Sequence, residues 1–249
     1  MSDIRFHIAP CEPRVAYRFT PGIEPTLVFL PGYKSDMSGS KATALFDWAK
    51  ARGRACLLLD YSGCGASEGE FADGTLSRWA QEVCGLIDHL RLTQVVLVGS
   101  SMGGWLMLLV ALKAQQSICG LVGIAAAPDF TQWGFTDGQK ASLNTGETVL
   151  EDNPYGPEPT PTHAVFWADG QRHLLLDSAI AIDCPVRLLH GQDDADVPFA
   201  VSLELAAALR SADVQVTLIK QGDHRLSRVG DIALLLRTVA ALVDEMEPV

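Results

Sequence analysis

Short, largely branched apolar runs recur along the chain at Thr26–Leu30 (T-L-V-F-L), Ala55–Leu59 (A-C-L-L-L), Val95–Val98, Leu121–Ala125, Val186–Leu189 and Val214–Ile219. Little polar alternation interrupts most of them, so they predict strands buried on both faces. Helical periodicity fills the intervals. The clearest case is Arg78–Arg91, where Trp79, Val83, Leu86, Ile87 and Leu90 share one face. Lys41–Arg52, Met102–Ala114, Phe199–Arg210 and Val229–Glu245 carry the same pattern. Strand alternating with helix predicts an α/β fold, a mostly parallel sheet with helices on both faces.

One stretch breaks this rhythm. From about Asp129 to Asp183 the chain is rich in Gly, Pro and Thr, carries Trp133, Phe135, Tyr155, Phe166 and Trp167, and shows no convincing strand. Loops of such length are seldom structureless unless functional, so an insertion of short helices is expected, acting as a lid over a site, with a solvated surface excursion as the alternative. Residues 1–249 read as one domain that includes this insertion, since a chain of this size and apolar content buries a single large core.

Composition narrows the partners. A formal net charge of −11, with no concentrated Lys/Arg face, argues against nucleic acid. No apolar stretch is long enough to span a bilayer. The six cysteines (Cys11, Cys56, Cys64, Cys84, Cys119, Cys184) lack C-x-x-C spacing, and Cys56, Cys84 and Cys119 sit in apolar periodic segments, so they are read as reduced. The first residues, M-S-D-I-R-F-H-I-A-P-C-E-P-R, have neither the apolar core of a signal peptide nor the acid-free character of a transit peptide. A cytoplasmic location is the expectation from these features.

The chemistry concentrates at L-V-G-S-S-M-G-G-W-L-M-L, where Gly99-Ser100-Ser101-Met102-Gly103 fits G-x-S-x-G. The motif alone is weak. Its setting, with an apolar strand running in and a helix running out, is that of a nucleophile elbow. Only the central residue of such a turn is lifted above the sheet, so Ser101 rather than Ser100 is the candidate nucleophile; a helix N-cap is the bland alternative. The following helix points its N-terminus at the site, where free amides favour developing negative charge.

A serine hydroxyl needs a positioned base. Val186–Leu189 is followed by H-G-Q-D-D-A-D-V-P and Val214–Ile219 by K-Q-G-D-H-R-L-S, both at the carboxyl ends of predicted strands. His224 is the candidate base, while His190, at the end of its own strand, is read as structural and hydrogen-bonded within its turn. His163 and His173 fall in the insertion, His89 in an outer helix and His7 near the terminus. Asp194 is favoured as the orienting acid by its place in H-G-x-x-D-x-x-V-P, with Asp193 and Asp196 as solvated loop carboxylates. D-D-A-D lacks the further oxygen ligands of a calcium loop, so no metal is expected. The oxyanion hole needs two backbone donors, and Met102 N–H and Tyr33 N–H, the latter after Leu30-Pro31-Gly32, are the candidates.

Taken together, L-P-G-Y-K-S-D-M-S-G, D-Y-S-G-C-G-A-S-E-G-E-F, V-G-S-S-M-G-G-W-L-M-L, L-L-H-G-Q-D-D-A-D-V-P-F and G-D-H-R-L-S resemble the α/β-hydrolase superfamily. The chain order Ser, Asp, His is that of the same superfamily. More narrowly, the pieces resemble a bacterial relative of the abhydrolase domain-containing protein 10 family, over about Thr26 to the C-terminal helix and least in the insertion. That family is associated with deacylation of S-palmitoylated proteins and hydrolysis of acyl glucuronides. The resemblance therefore implies an ester or thioester hydrolase with Ser101 as nucleophile, Asp194 as acid and His224 as base. Its mitochondrial members carry a transit peptide, which this chain is read as lacking.

The expected reaction is a two-step acyl transfer on a small-molecule or acyl-protein ester or thioester, needing no metal or organic cofactor. The aromatics of the insertion suggest an apolar acyl pocket, while Trp105 is read as core. Two rivals are a short-chain carboxylesterase, acyltransferase or perhydrolase on the same scaffold, and a non-catalytic relative that binds a ligand.

Overall fold

The computed structural model describes residues 3–7, 13–153 and 156–246. Two residues singled out above, Cys11 and Tyr155, lie outside these. An eight-stranded sheet runs in the order β1-β2-β4-β3-β5-β6-β9-β10. Its parallel part comprises β3 (Ile23–Leu30), β4 (Arg54–Leu59), β5 (Val95–Ser100), β6 (Ile118–Ile124), β9 (Val186–Gly191) and β10 (Val214–Ile219). The six apolar runs of the sequence are these six strands. In β4, β5 and β9 every residue is buried, the condition for a strand without polar alternation.

Two strands precede the first predicted one. β1 (Arg5–His7) and β2 (Val15–Thr20) add antiparallel at the β4 edge, β2 pairing Tyr17 with Leu59. Half of β2 is partly exposed, which is why V-A-Y-R-F-T lacks the unbroken apolar run of the central strands.

Helices cover both faces. One face buries α2 (Leu76–His89), α3 (Met102–Lys113) and α7 (Ala200–Ala208). The other buries α1 (Ser40–Ala51) and α8 (Val229–Asp244). Thr75 caps α2 through its side chain, which accepts from Arg78 N–H at 3.1 Å. Helix α3 differs from the others: Met102 to Ala111 are all buried, so it is apolar all round and has protein on every side.

Between β6 and β9 lie three short helices, α4 (Phe130–Trp133), α5 (Asp137–Asn144) and α6 (Ala164–Gly170), as expected for the insertion. The expectation of no strand here is corrected. β7 (Val149–Glu151) and β8 (Thr160–Thr162) form a two-stranded antiparallel hairpin. Three residues per strand are too few to show a period of two, and Pro161 within β8 reads as a strand breaker except at an edge.

Candidate active site

At the carboxyl edge of the sheet β5 ends and α3 begins, with Ser101 between them at φ 55°, ψ −122°. A non-glycine residue there is strained, and it is held by hydrogen bonds on both sides: Ser101 N–H donates to Ile124 O (2.9 Å), and Gly104 and Ala127 N–H donate to Ser101 O (2.8 and 3.1 Å). The turn closes because the flanking glycines have no side chain. A Cβ on Gly103 would lie 2.1 Å from Leu30 O, and one on Gly99 2.3 Å from Gly103 O.

Loops after β9 and β10 bring the other two predicted residues to Ser101. The loops touch backbone to backbone at Gly191 and Gly222, where a Cβ on Gly191 would stand 2.2 Å from Gly222 O. The Ser101 hydroxyl donates to His224 Nε2 at 3.0 Å, and His224 Nδ1–H donates to Asp194 Oδ2 at 2.9 Å. Asp194 Oδ1 accepts the amides of Asp196 (2.9 Å) and Val197 (2.8 Å). Its carboxylate is fully buried, while the His224 side chain is 15% exposed. Burial drives the Asp194 carboxyl upward, but hydrogen bonds from His190 and His224 and the positive charge His224 can carry outweigh it. The group sits well below the usual carboxylate range.

The remaining histidines are elsewhere. His163 Nδ1 meets Thr148 Oγ at 3.0 Å, His173 Nε2 meets Ser77 Oγ at 2.7 Å, and the rings of His7 and His89 lie 4.5 Å apart. His190 bonds within its turn, Nε2 to Val197 O at 2.9 Å, but it also reaches Ser202 Oγ on α7 at 2.7 Å and Asp194 Oδ2 at 3.2 Å. The contact with Asp194 lies outside what the sequence motif specifies. Asp193 is exposed, and Asp194, Asp196 and His224 bring ligand atoms within 4.8 Å of one another. Both nitrogens of His224 and both oxygens of Asp194 are engaged in the hydrogen bonds just described.

The loop after β3 lies directly against Ser101: a Cβ on Gly32 would sit 3.4 Å from Ser101 Cβ. D-Y-S-G-C-G explains how that loop is held. The Tyr61 hydroxyl donates to Pro31 O (3.1 Å), and buried Asp60 accepts from Met37 N–H (2.6 Å) and Ala66 N–H (2.8 Å). Sequence reasoning could name this motif but not its task. The Tyr33 hydroxyl continues outward to Pro161 O of β8 at 3.0 Å, tying the loop to the hairpin.

A cavity of about 590 Å³ opens over Ser101, within the range of small-molecule sites. Met102, Phe130, Trp133 and Phe135 give it an apolar wall, and Ser35, Asp36, Lys41 and Arg225 a polar one. Burial, with the Arg225 charge adding to it, brings the Lys41 ammonium down to about 8, and its Nζ donates to Arg225 O. Of the other aromatics of the insertion, Phe166 and Trp167 are buried packing residues, and Trp105 is fully buried with its indole N–H on His173 O (3.1 Å).

Known proteins place the chain in a family. Residues 27–232 match the model of the alpha/beta hydrolase family. The mouse (Mus musculus) protein named palmitoyl-protein thioesterase ABHD10, mitochondrial, is 40% identical over 95% of this chain and 81% of its own length. The solved structure of alpha/beta hydrolase domain-containing protein 10 from mouse superposes with a TM-score of 0.92 at 35% identity, covering 99% of this chain and 100% of that one. A putative hydrolase from Agrobacterium vitis S4 superposes at 0.89 with 36% identity, over 96% and 99% of the two chains. These relatives correct one expectation. The cytoplasmic location read from dispersed cysteines and the first residues is overturned by relatives named as mitochondrial, in mouse and in Homo sapiens alike. Reduced thiols report a reducing environment and do not tell one such compartment from another. Among the described residues, no helix is long and apolar enough to cross a membrane. With the matched model spanning most of the sheet and the strained serine turn at its centre, the chain belongs to the α/β-hydrolase family.

Proposed function

We propose that this hydrolase cleaves carboxylic esters or thioesters through an acyl-enzyme on Ser101, with long-chain acyl thioesters, including acylated proteins, as its substrate class. The observation that carries the reading is the unbroken relay from Ser101 Oγ through His224 to Asp194, at 3.0 and 2.9 Å, on a serine held at positive φ. His224 Nε2 takes the hydroxyl proton as Ser101 Oγ attacks the acyl carbonyl. Asp194, ionised and out of water, stabilises the resulting imidazolium and holds the ring so that Nε2 faces the serine.

Negative charge then builds on the former carbonyl oxygen. The amides of Tyr33 and Met102 are its donors: Met102 opens α3, where amides lack an intrahelical acceptor, and the Tyr33 loop packs against Ser101. The imidazolium protonates the leaving alcohol or thiol, and water, deprotonated by His224, releases the acid. The segment from 129 to 183 serves as a lid within one domain, its Phe130, Trp133 and Phe135 providing the acyl wall. The thioester preference rests on the name of the mouse relative, palmitoyl-protein thioesterase.

The test is kcat/KM along paired oxyester and thioester ladders from acetyl to palmitoyl. The expected result is a preference for long-chain thioesters, abolished in Ser101→Ala and largely kept in Ser100→Ala. A preference for short or aromatic oxyesters would remove the substrate assignment. Activity surviving in Ser101→Ala would remove the mechanism.

A further inference from the structure

His190 is the penultimate residue of β9, fully buried, four residues before Asp194. A histidine buried in a strand end must satisfy both ring nitrogens. Nε2 faces two acceptors, Val197 O at 2.9 Å and Asp194 Oδ2 at 3.2 Å, so the ring proton belongs there. Nδ1 faces the Ser202 hydroxyl at 2.7 Å, which is itself buried on α7 and donates to it. Ser202 thus fixes the tautomer, and the Nε2–H is shared between a loop carbonyl and a carboxylate.

The oxygen that receives this proton is the one that receives His224 Nδ1–H. Asp194 therefore stands between two imidazoles, with two backbone amides on its other oxygen. From this arrangement we infer that His190 is a positioning residue for the reaction: it orients Asp194 and, by drawing charge from the shared oxygen, sets the base strength of His224. The inference rests on the acyl-enzyme reading above. Charge left on Oδ2 favours the imidazolium of His224, so a second donor there weakens the base, and removing it strengthens the base. The other charged groups around His224 include its chain neighbours Asp223 and Arg225, Asp193 and Asp196 on the same loop as Asp194, and Asp36 and Lys41 on the cavity wall. None of these changes when His190 is replaced.

The experiment compares His190→Leu, which keeps bulk and loses the donor, with His190→Gln, which keeps a side-chain N–H. For His190→Leu, kcat is expected to fall about tenfold with KM within about twofold, and the acid limb of kcat/KM to move up by about half a pH unit. His190→Gln is expected to stay within about threefold of wild type with its acid limb in place. Equal losses in both variants with an unmoved acid limb would reduce His190 to a packing residue and overturn the inference. Should His190→Leu fail to fold, isotope-labelled wild-type chain decides. Phosphonylating Ser101 replaces the hydroxyl that donates to His224 Nε2 with acceptor oxygens, which favours a proton on that nitrogen and should shift the His190 Nε2–H resonance through the shared carboxylate, and an unchanged resonance overturns the inference equally. Labelling also separates the two claims. A phosphonate that fails to react at Ser101 strikes the acyl-enzyme reading, whereas reaction at Ser101 with an unmoved pH profile strikes His190 alone.

Discussion

Ser101 holds a backbone conformation that an L-residue adopts only under constraint, and such positions cost on the order of 1–3 kcal/mol. The constraint comes from Gly99 and Gly103, whose missing side chains let β5, α3 and the β3 loop meet. Ser101→Gly should therefore raise stability by about 1 kcal/mol, strain relief exceeding the entropy a glycine loses on folding, while turnover disappears. Ser101→Ala, which keeps Cβ, should lose turnover without that gain. Chemical denaturation of the two variants checks this, and equal stabilities would mean the turn stores no strain. At this scale the meeting of Ser101 with His224 was legible because each follows a strand and the motif carries its own geometry. Asp194 needed its place in H-G-x-x-D to be chosen over Asp193 and Asp196. The contact of His190 with Asp194 was not legible, because a spacing of four within an irregular loop has no fixed spatial meaning.

Between elements, the insertion is tied to the sheet layers by polar contacts that hydrophobic periodicity does not reveal. At the start of α2, Ser77 donates its hydroxyl and its amide to the buried Asp169 carboxylate of α6, both at 2.8 Å, and meets His173 Nε2 at 2.7 Å. Burial lowers the His173 pKa from 6.5, and Asp169 only partly opposes this. A histidine whose folded pKa is depressed contributes stability that is fully present above its unfolded value and is lost as pH falls from 6.5 through the folded value. The tie between α6 and α2 should accordingly weaken on acidification. In thermal unfolding from above pH 7 down to about pH 5, wild type should lose stability faster than His173→Gln. Parallel pH profiles for the two would show that the cluster carries no such linkage. The long strands and helices of the sheet layers were readable because their apolar periods are sustained. The hairpin β7 and β8 was not, being too short and crossed by Pro161, and β1 and β2 lie at an edge where burial is incomplete.

As a whole, the molecule brings Ser101, His224 and Asp194 together at one edge of a buried parallel sheet, where loops after β3, β5, β9 and β10 converge under the insertion. On the proposed reading the acyl chain lies along the apolar wall formed by Met102, Phe130, Trp133 and Phe135, so acyl length belongs to the assembled cavity and not to any motif, and it is the least legible feature in the sequence. Trp133→Ala should cut the kcat/KM ratio of palmitoyl to acetyl substrates about tenfold while leaving acetyl turnover within about threefold, and a ratio that did not change would place the acyl chain elsewhere. The proposed mechanism requires a covalent acyl group on Ser101. The most direct measurement is acid quenching of the enzyme during turnover of a long-chain thioester, followed by mass spectrometry of the peptide carrying Ser100 and Ser101. An acyl adduct on Ser101 is expected, forming no more slowly than product appears and lost on further incubation. An adduct on Ser100 or a cysteine, or turnover with no adduct at all, would contradict that mechanism.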